Sequence, residues 1–356
     1  MMHQPNFERL RKTMRHEEPD RVPLVEGVVG YEIQSQFLGK KVTGAEVESQ
    51  VKFWTQAGYD YIPLTSGMMD PGEVTKDSSI VGVVQKALRK DKGPEEVVPW
   101  NIEEGGVISS PEDFDRFPWE EAAKLDFRKF QEVQPYLPEG MRIIATSGKI
   151  FTLTWMLLGF QNFCMSLYLQ DELVAKVFQK VGEIQVAGVK KLLEIPKMGG
   201  VWVIDDLSYG SGPMIDPKFF RKYVFPWYEE IAAVCRQNDL LLFFHSDGNI
   251  WQIMDDLVNI GFHAIHPLDP TSMDILEVKN KLGKKIGIMG NIDVDLLARG
   301  TPEEVRELAK KRLREIAPGG GYALGSGNSV PNWARFENYQ AMRETTLEWG
   351  KYPIKL

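Results

Sequence analysis

Cysteine is scarce: 356 residues contain two, Cys164 and Cys235. The pair has no metal-type spacing, which excludes a disulfide-stapled scaffold or a thiolate zinc finger. Both fall in helical patterns, where interior packing is expected, and such usage suits a reducing, cytoplasmic setting. Long apolar runs are also missing. No stretch approaches the ~18–20 uninterrupted apolar residues of a membrane span, so no membrane partner is expected. The first twenty residues, MMHQPNFERLRKTMRHEEPD, are charged and lack the apolar segment of a signal peptide. Positive charge is in deficit, with a net charge of −8 and a pI near 5.4. A mildly acidic surface argues against tracking the phosphates of a nucleic acid. The cations around Lys279 to Lys285 suit a solvated helix end and loop. Finally, the first apolar run is followed by VEGVVGY rather than G-x-G-x-x-G, which argues against an open dinucleotide-binding sheet.

What is present is alternation. Short apolar runs recur at 21–25, 59–64, 142–146, 200–204, 240–245, 263–266, 285–289 and 321–324, and each suits a buried strand. Amphipathic stretches at 32–56, 151–193, 217–237, 249–260, 273–281, 302–316 and 336–350 suit helices between them. Boundary signals support these limits. Asp216-Pro217 and Thr301-Pro302-Glu303-Glu304 pair an N-cap with proline at the first helical position, and Gly261, Gly283 and Gly350 stand where helices should end. Eight strands alternating with helices predict an α/β protein, a (β/α)₈ TIM barrel forming one domain over 1–356. Residues 66–130 interrupt the rhythm after the second strand and are expected to be inserted hairpins over the barrel mouth.

In such barrels the residues just past each strand face the site. Here they include Glu26 after the first strand, Asp205 and Asp206 after the fourth, His245-Ser246-Asp247 after the fifth, and Gly325 to Ser329 after the eighth. His245 and Asp247 lie two apart, so both side chains can point one way, and imidazole plus carboxylate suits a divalent metal. Asp205 or Asp206 would add a third ligand. The plainer alternative has Asp206 hydrogen-bonding His245 and fixing its tautomer, while one of the paired aspartates caps a helix. His263 and His266 alternate along one strand, so at most one faces the interior; His3 and His16 suit the surface. The segment APGGGYALGSGNSVP offers backbone N–H groups to an anion, or close approach of backbone to a ligand. Of the aromatics, Trp202 and Tyr209 are the candidates for a substrate pocket.

Several of these segments together resemble the uroporphyrinogen decarboxylase superfamily, a (β/α)₈ family that also contains corrinoid-linked methyltransferases. The markers are PDRVP at Pro19–Pro23, GNID at Gly290–Asp293, TPEEV at Thr301–Val305, APGGGYALGSGNSVP, ENYQAM at Glu337–Met342, and HSDGNI at 245–250. The similarity implies a strand-two aspartate, matching Asp60, as a polar anchor for pyrroles. It also implies an arginine-rich first loop in members that bind the eight-carboxylate porphyrinogen. Here no cation occurs between Arg21 and Lys40, and Glu26 stands in the mouth. Glutamate beside a polyanion would cost several kcal/mol. In the thiol-methylating members a histidine-x-cysteine motif and a later cysteine hold zinc. The corresponding positions here are His245, Asp247 and Asn328. A nitrogen–oxygen donor set makes a harder zinc, suited to polarising an oxygen.

The resemblance therefore implies a corrinoid-dependent methyltransferase, most concretely an O-demethylase component for a small substrate such as a methoxylated aromatic. His245, Asp247 and Asp206 would hold zinc, Glu26 would be a further ligand or proton relay, and Asn328, Tyr209, Trp202 and Asp60 would contact substrate. Cobalamin would be carried by a separate corrinoid protein, because the chain has no D-x-H-x-x-G signature. Two alternatives stay open: a metal-free carboxy-lyase acting on a tetrapyrrole or smaller carboxylate, and a non-catalytic barrel that binds a corrinoid or tetrapyrrole.

Overall fold

The structure, a computed structural model, describes residues 4–65 and 106–356. Seven strands form its main sheet: β1 (Tyr61–Thr65), β2 (Arg142–Thr146), β3 (Met198–Ile204), β4 (Leu241–His245), β5 (Ala264–His266), β6 (Gly287–Met289) and β7 (Tyr322–Ala323). Each pairs in parallel with the next in chain order. Helices connect them, and the strands are buried on both faces, which explains why they appear in sequence as apolar runs. The expected strand at 21–25 shrinks to a short parallel bridge, Leu24 to Leu324, at the β7 edge. Pro23 has no N–H to lend a ladder, although its carbonyl still accepts from Leu324 (3.0 Å).

The sheet curls. Val25, Tyr61, Ile144, Trp202, Phe243, Ala264, Met289 and Ala323, which come from the bridge segment and from every strand, form one buried cluster apart from the larger core. Side chains on a strand alternate between faces, so residues from both edges and the middle meet only if that face is concave. The Tyr61 hydroxyl joins the two ends of the curl, donating to the Glu26 carbonyl (2.8 Å) and accepting from the Glu26 N–H (2.9 Å). Helix Phe7–Met14 adds Phe7, Leu10 and Met14 to the cluster from the end where the strands begin.

Local chemistry sets the helix limits. Thr301 and Glu304 form a reciprocal capping box, and Asp216 caps Pro217–Tyr223. The three longest expected helices are each broken. Gly39 in the left-handed region ends the first, Gly159 divides the second, and Pro226 starts a new helix within the third. The expected hairpins over 66–130 are not found where the chain is described. Ser110 caps Pro111–Arg116, and short helices follow at Trp119–Ala122 and Arg128–Glu132. Ser-Pro-Glu-Asp is a helix-start signal that outweighed the strand-like composition. This stretch packs on the flank: Gly106 and Ile108 bond to the end of helix Phe151–Leu158, and Leu125 lies against Gly188 of helix Asp171–Leu192. Residues 66–105, the rest of the expected insertion, lie outside the described residues. Among the described residues, no helix is long and apolar enough to cross a membrane.

Candidate functional site

Three inward-facing positions carry polar groups to one rim. On β3 the concave face runs from Trp202 to Ile204, and two residues further is Asp206. On β4 it runs from Phe243 to His245 and on to Asp247, and on β5 from Ala264 to His266. Ile204, His245 and His266 are level in the sheet register. The polar groups therefore converge at the C-terminal end of the curl.

His245 is buried, while the side chains of Asp206 and Asp247 are 45% and 44% exposed above it. Its Nε2 stands 3.7 Å from Asp206 Oδ1 and 3.7 Å from Asp247 Oδ1, too far to be a hydrogen bond to either. One ligand atom from each of the three lies within 4.8 Å of the others. Zinc ligands ~2.0–2.2 Å from the ion at tetrahedral corners stand about 3.3–3.6 Å apart, and the two His245–carboxylate distances of 3.7 Å are close to that spacing, so the group could hold a divalent cation. Backbone chemistry fixes the carboxylates. The Asp247 N–H donates to Asp206 Oδ1 (3.0 Å), and the Asn328 amide donates to both Asp247 oxygens (2.9 and 2.7 Å). Ser246 Oγ accepts from the Leu207 N–H (2.9 Å), tying the two loops together. Burial pushes the Asp247 carboxyl up, Asp206 and Asp269 add like-charge repulsion, and His245 opposes them. Gly248, at φ 80°, has no room for a Cβ because the Tyr209 carbonyl lies 2.5 Å from where it would stand. That close approach lets the Ser208–Pro213 hairpin rest on the site.

Asp205 is elsewhere. It is fully buried, with Oδ2 accepting from the N–H groups of Ile150 and Phe151 and from the Tyr228 hydroxyl (each 2.7 Å). Its Oδ1 accepts from the Thr152 N–H (2.8 Å). It thus caps helix Phe151–Leu158, and Asp206 is the carboxylate at the rim. Glu26 is outside the three-residue group. Its oxygens accept from the Ser326 N–H (2.6 Å) and Oγ (2.7 Å), and burial pushes its carboxyl up to about 8 despite both bonds. It clamps the loop that carries Asn328 and is not a ligand.

Three further expectations need correction. Asp60 stands where β1 begins, at the opposite rim, accepting from Arg9 Nη1 (2.5 Å) and the Asn6 N–H (2.9 Å), and so anchors the N-terminal helix instead of a substrate. Trp202 is fully buried in the concave core, so its indole forms the floor beneath the site, not its wall. Gly319 to Gly321 also lie at the far rim, where Gly320 and Gly321 accommodate Glu17 and His16; they make no anion cradle at the site. Asn328 spends its amide N–H groups on Asp247. Tyr209 is 52% exposed on the hairpin beside the carboxylates.

Of His263 and His266, the inward member is His266, and it does more than fill space. Its Nδ1 lies 2.8 Å from His245 Nδ1, and its ring stands perpendicular to the Trp202 indole with centroids 5.0 Å apart. Burial, aided by His245, holds its imidazole well below the ordinary 6.5, so it is neutral at pH 7. His263 faces the other side, where its Nδ1 accepts from the Leu242 N–H.

The uroporphyrinogen decarboxylase family model matches residues 103–349. Curated relatives include uroporphyrinogen decarboxylases from Actinobacillus succinogenes, 23% identical over 239 residues, and Dechloromonas aromatica, 24% identical over 228. These matches cover 62% and 60% of this chain, and the chain spans only about three fifths (62% and 61%) of those relatives' length. Among solved structures, a methyltransferase from Methanosarcina mazei superposes with a TM-score of 0.67 at 15% identity, over 97% of this chain and 99% of its own. At that identity the likeness establishes the fold alone.

Proposed function

Because the chain belongs to the uroporphyrinogen decarboxylase family, we propose that it is a metal-assisted, corrinoid-dependent methyltransferase acting on a small, methoxylated aromatic substrate. In this reading the curled sheet is a (β/α)₈ barrel whose remaining strand is the Pro23–Val25 segment. The observation that carries the proposal is the grouping of Asp206, His245 and Asp247 around one point at the strand ends.

A methyl group leaving an ether oxygen leaves a phenolate behind, and the barrier falls when that growing charge is stabilised. Asp206, His245 and Asp247 would hold zinc, and the bound ion would supply Lewis acidity toward that oxygen. The chain's own residues do the positioning. Asn328 holds both oxygens of Asp247, Ser246 ties the two aspartate loops together, and the exposed Tyr209 ring offers an aromatic face at the rim. The methyl acceptor, a corrinoid, would be carried by a separate protein at the strand-end rim. Glu26, a buried acid at neutral pH, would keep the Asn328 loop in place from below.

Decarboxylation is the second reading, favoured by the names of the curated relatives. The ion pairs of Asp206 and Asp247 are with His245, and the other charges acting on Asp247 are the carboxylates of Asp206 and Asp269. Such a rim would repel a porphyrinogen with eight carboxylates. Metal analysis tests the choice. Wild-type protein is expected to carry about one zinc and His245→Ala close to none; equally low zinc in both would end the metal mechanism. Porphyrinogen decarboxylation by chelator-treated protein would instead establish the lyase.

A further inference from the structure

We infer that His266 is the positioning residue for His245, accepting its Nδ1 proton and thereby presenting its Nε2 lone pair between Asp206 and Asp247. Two imidazoles joined Nδ1 to Nδ1 at 2.8 Å must share one proton, and only two neutral arrangements exist. If His266 donates, His245 carries its proton on Nε2, facing the carboxylates. A donor there would settle on one carboxylate at ~2.7–2.9 Å, as charge-assisted bonds do. Instead Nε2 stands 3.7 Å from both, equidistant and bonded to neither. If His245 donates, Nε2 bears a lone pair, and the gap is the size of a shared cation.

The surroundings of His266 hold its ring in place. It is 1% exposed and stands perpendicular to the Trp202 indole, and its Nε2 has no hydrogen-bond partner among the described residues. Among those residues, His245 is the one hydrogen-bond partner of its Nδ1. The choice of an imidazole has a chemical consequence. Carboxylates are frequent partners of metal-bound histidines and raise their donor strength. A neutral partner instead leaves two negative charges around the cation, which preserves more of its Lewis acidity. The cation part of this inference rests on the metal reading above; the tautomer part does not.

Two measurements separate them. Nitrogen-15 spectra of selectively histidine-labelled, metal-free wild-type protein are expected to place the shared proton on His245 Nδ1 and the other on His266 Nε2. Protons on His266 Nδ1 and His245 Nε2 would overturn the inference. Second, cobalt(II) is titrated into wild type, His266→Phe and His266→Asn, following the visible ligand-field bands. Phenylalanine keeps the ring against Trp202 but cannot accept, whereas the asparagine Oδ1 takes the place of Nδ1. Affinity is expected to fall ~10–100-fold in His266→Phe and to recover largely in His266→Asn. Equal affinity in wild type and His266→Phe also overturns the inference. Absence of saturable cobalt binding in wild type, with the proton still on His245 Nδ1, would uphold the tautomer and refute the metal reading. The spectra need no variant, so a misfolded substitution leaves the test intact.

Discussion

Replacing Glu26 by glutamine should make the protein progressively more stable than wild type as pH rises from 5 to 8. The carboxyl is fully buried, and burial lifts it from the ordinary 4.5 to about 8, against the pull of two Ser326 hydrogen bonds. Between those values the unfolded chain releases a proton that the folded chain keeps, so the folded state binds more protons and loses stability as pH increases. The slope is ~1.4 kcal/mol per pH unit, or about 4 kcal/mol from pH 5 to 8. Glutamine cannot ionise and lacks this slope. Its carbonyl still accepts from the Ser326 N–H, and its amide faces a hydroxyl that can turn to receive it. For 356 residues, an unfolding entropy of ~2.1 cal/mol/K per residue converts the difference to a relative Tm gain of about 5 °C. Calorimetric melts of both proteins at pH 5, 6, 7 and 8 read it directly, since other titrations cancel in the difference. A Tm difference constant within ~1 °C over that range would mean that Glu26 ionises normally and is not a neutral buried acid.

The adjacent aspartates should behave oppositely. Asp205→Ala strands three buried N–H groups and the Tyr228 hydroxyl, and at ~1–3 kcal/mol for each unpaired group it should cost at least about 3 kcal/mol in denaturant melts. Asp206→Ala, at a half-exposed side chain, should cost no more than ~1 kcal/mol and, on the proposed zinc site, should abolish zinc binding; a reversal of the two stabilities would refute the assignment of cap and rim carboxylate. Asp60→Asn removes one of the two carboxylates paired with buried Arg9, Asp20 keeping the other, and should cost about 1–3 kcal/mol while leaving substrate KM unchanged. A raised KM with unchanged melting would restore Asp60 to the substrate site.

Strand positions were legible because burial on both faces leaves an apolar run, and all eight runs recur as strand or bridge. The rim was legible in part. Counting in twos from Trp202 and Phe243 reaches Asp206 and Asp247 and skips Asp205, but only once Trp202 is known to face inward. His266 escaped because its role depends on the cross-strand register with His245, which no local pattern encodes. Asp60 misled for a related reason: it begins its strand, so the parallel sheet sends it to the rim opposite the one where strands end. Within the expected 66–130 hairpins, residues 111–130 mislead because a strand-like composition surrounds the Ser110-Pro111 helix start.

The helix Phe7–Met14, wedged beneath the concave core with Leu10 fully buried, packs against the inner face of the curl and closes its lower end among the described residues. A vessel corked at its base is entered from its rim, and on the proposed reaction both the small substrate and the partner protein would use that rim. A small molecule would have to be seated before any large protein arrived above it, and the spent molecule could depart only after that visitor withdrew. Turnover would then slow when the visitor is in excess, a signature of compulsory order imposed by architecture instead of by affinity.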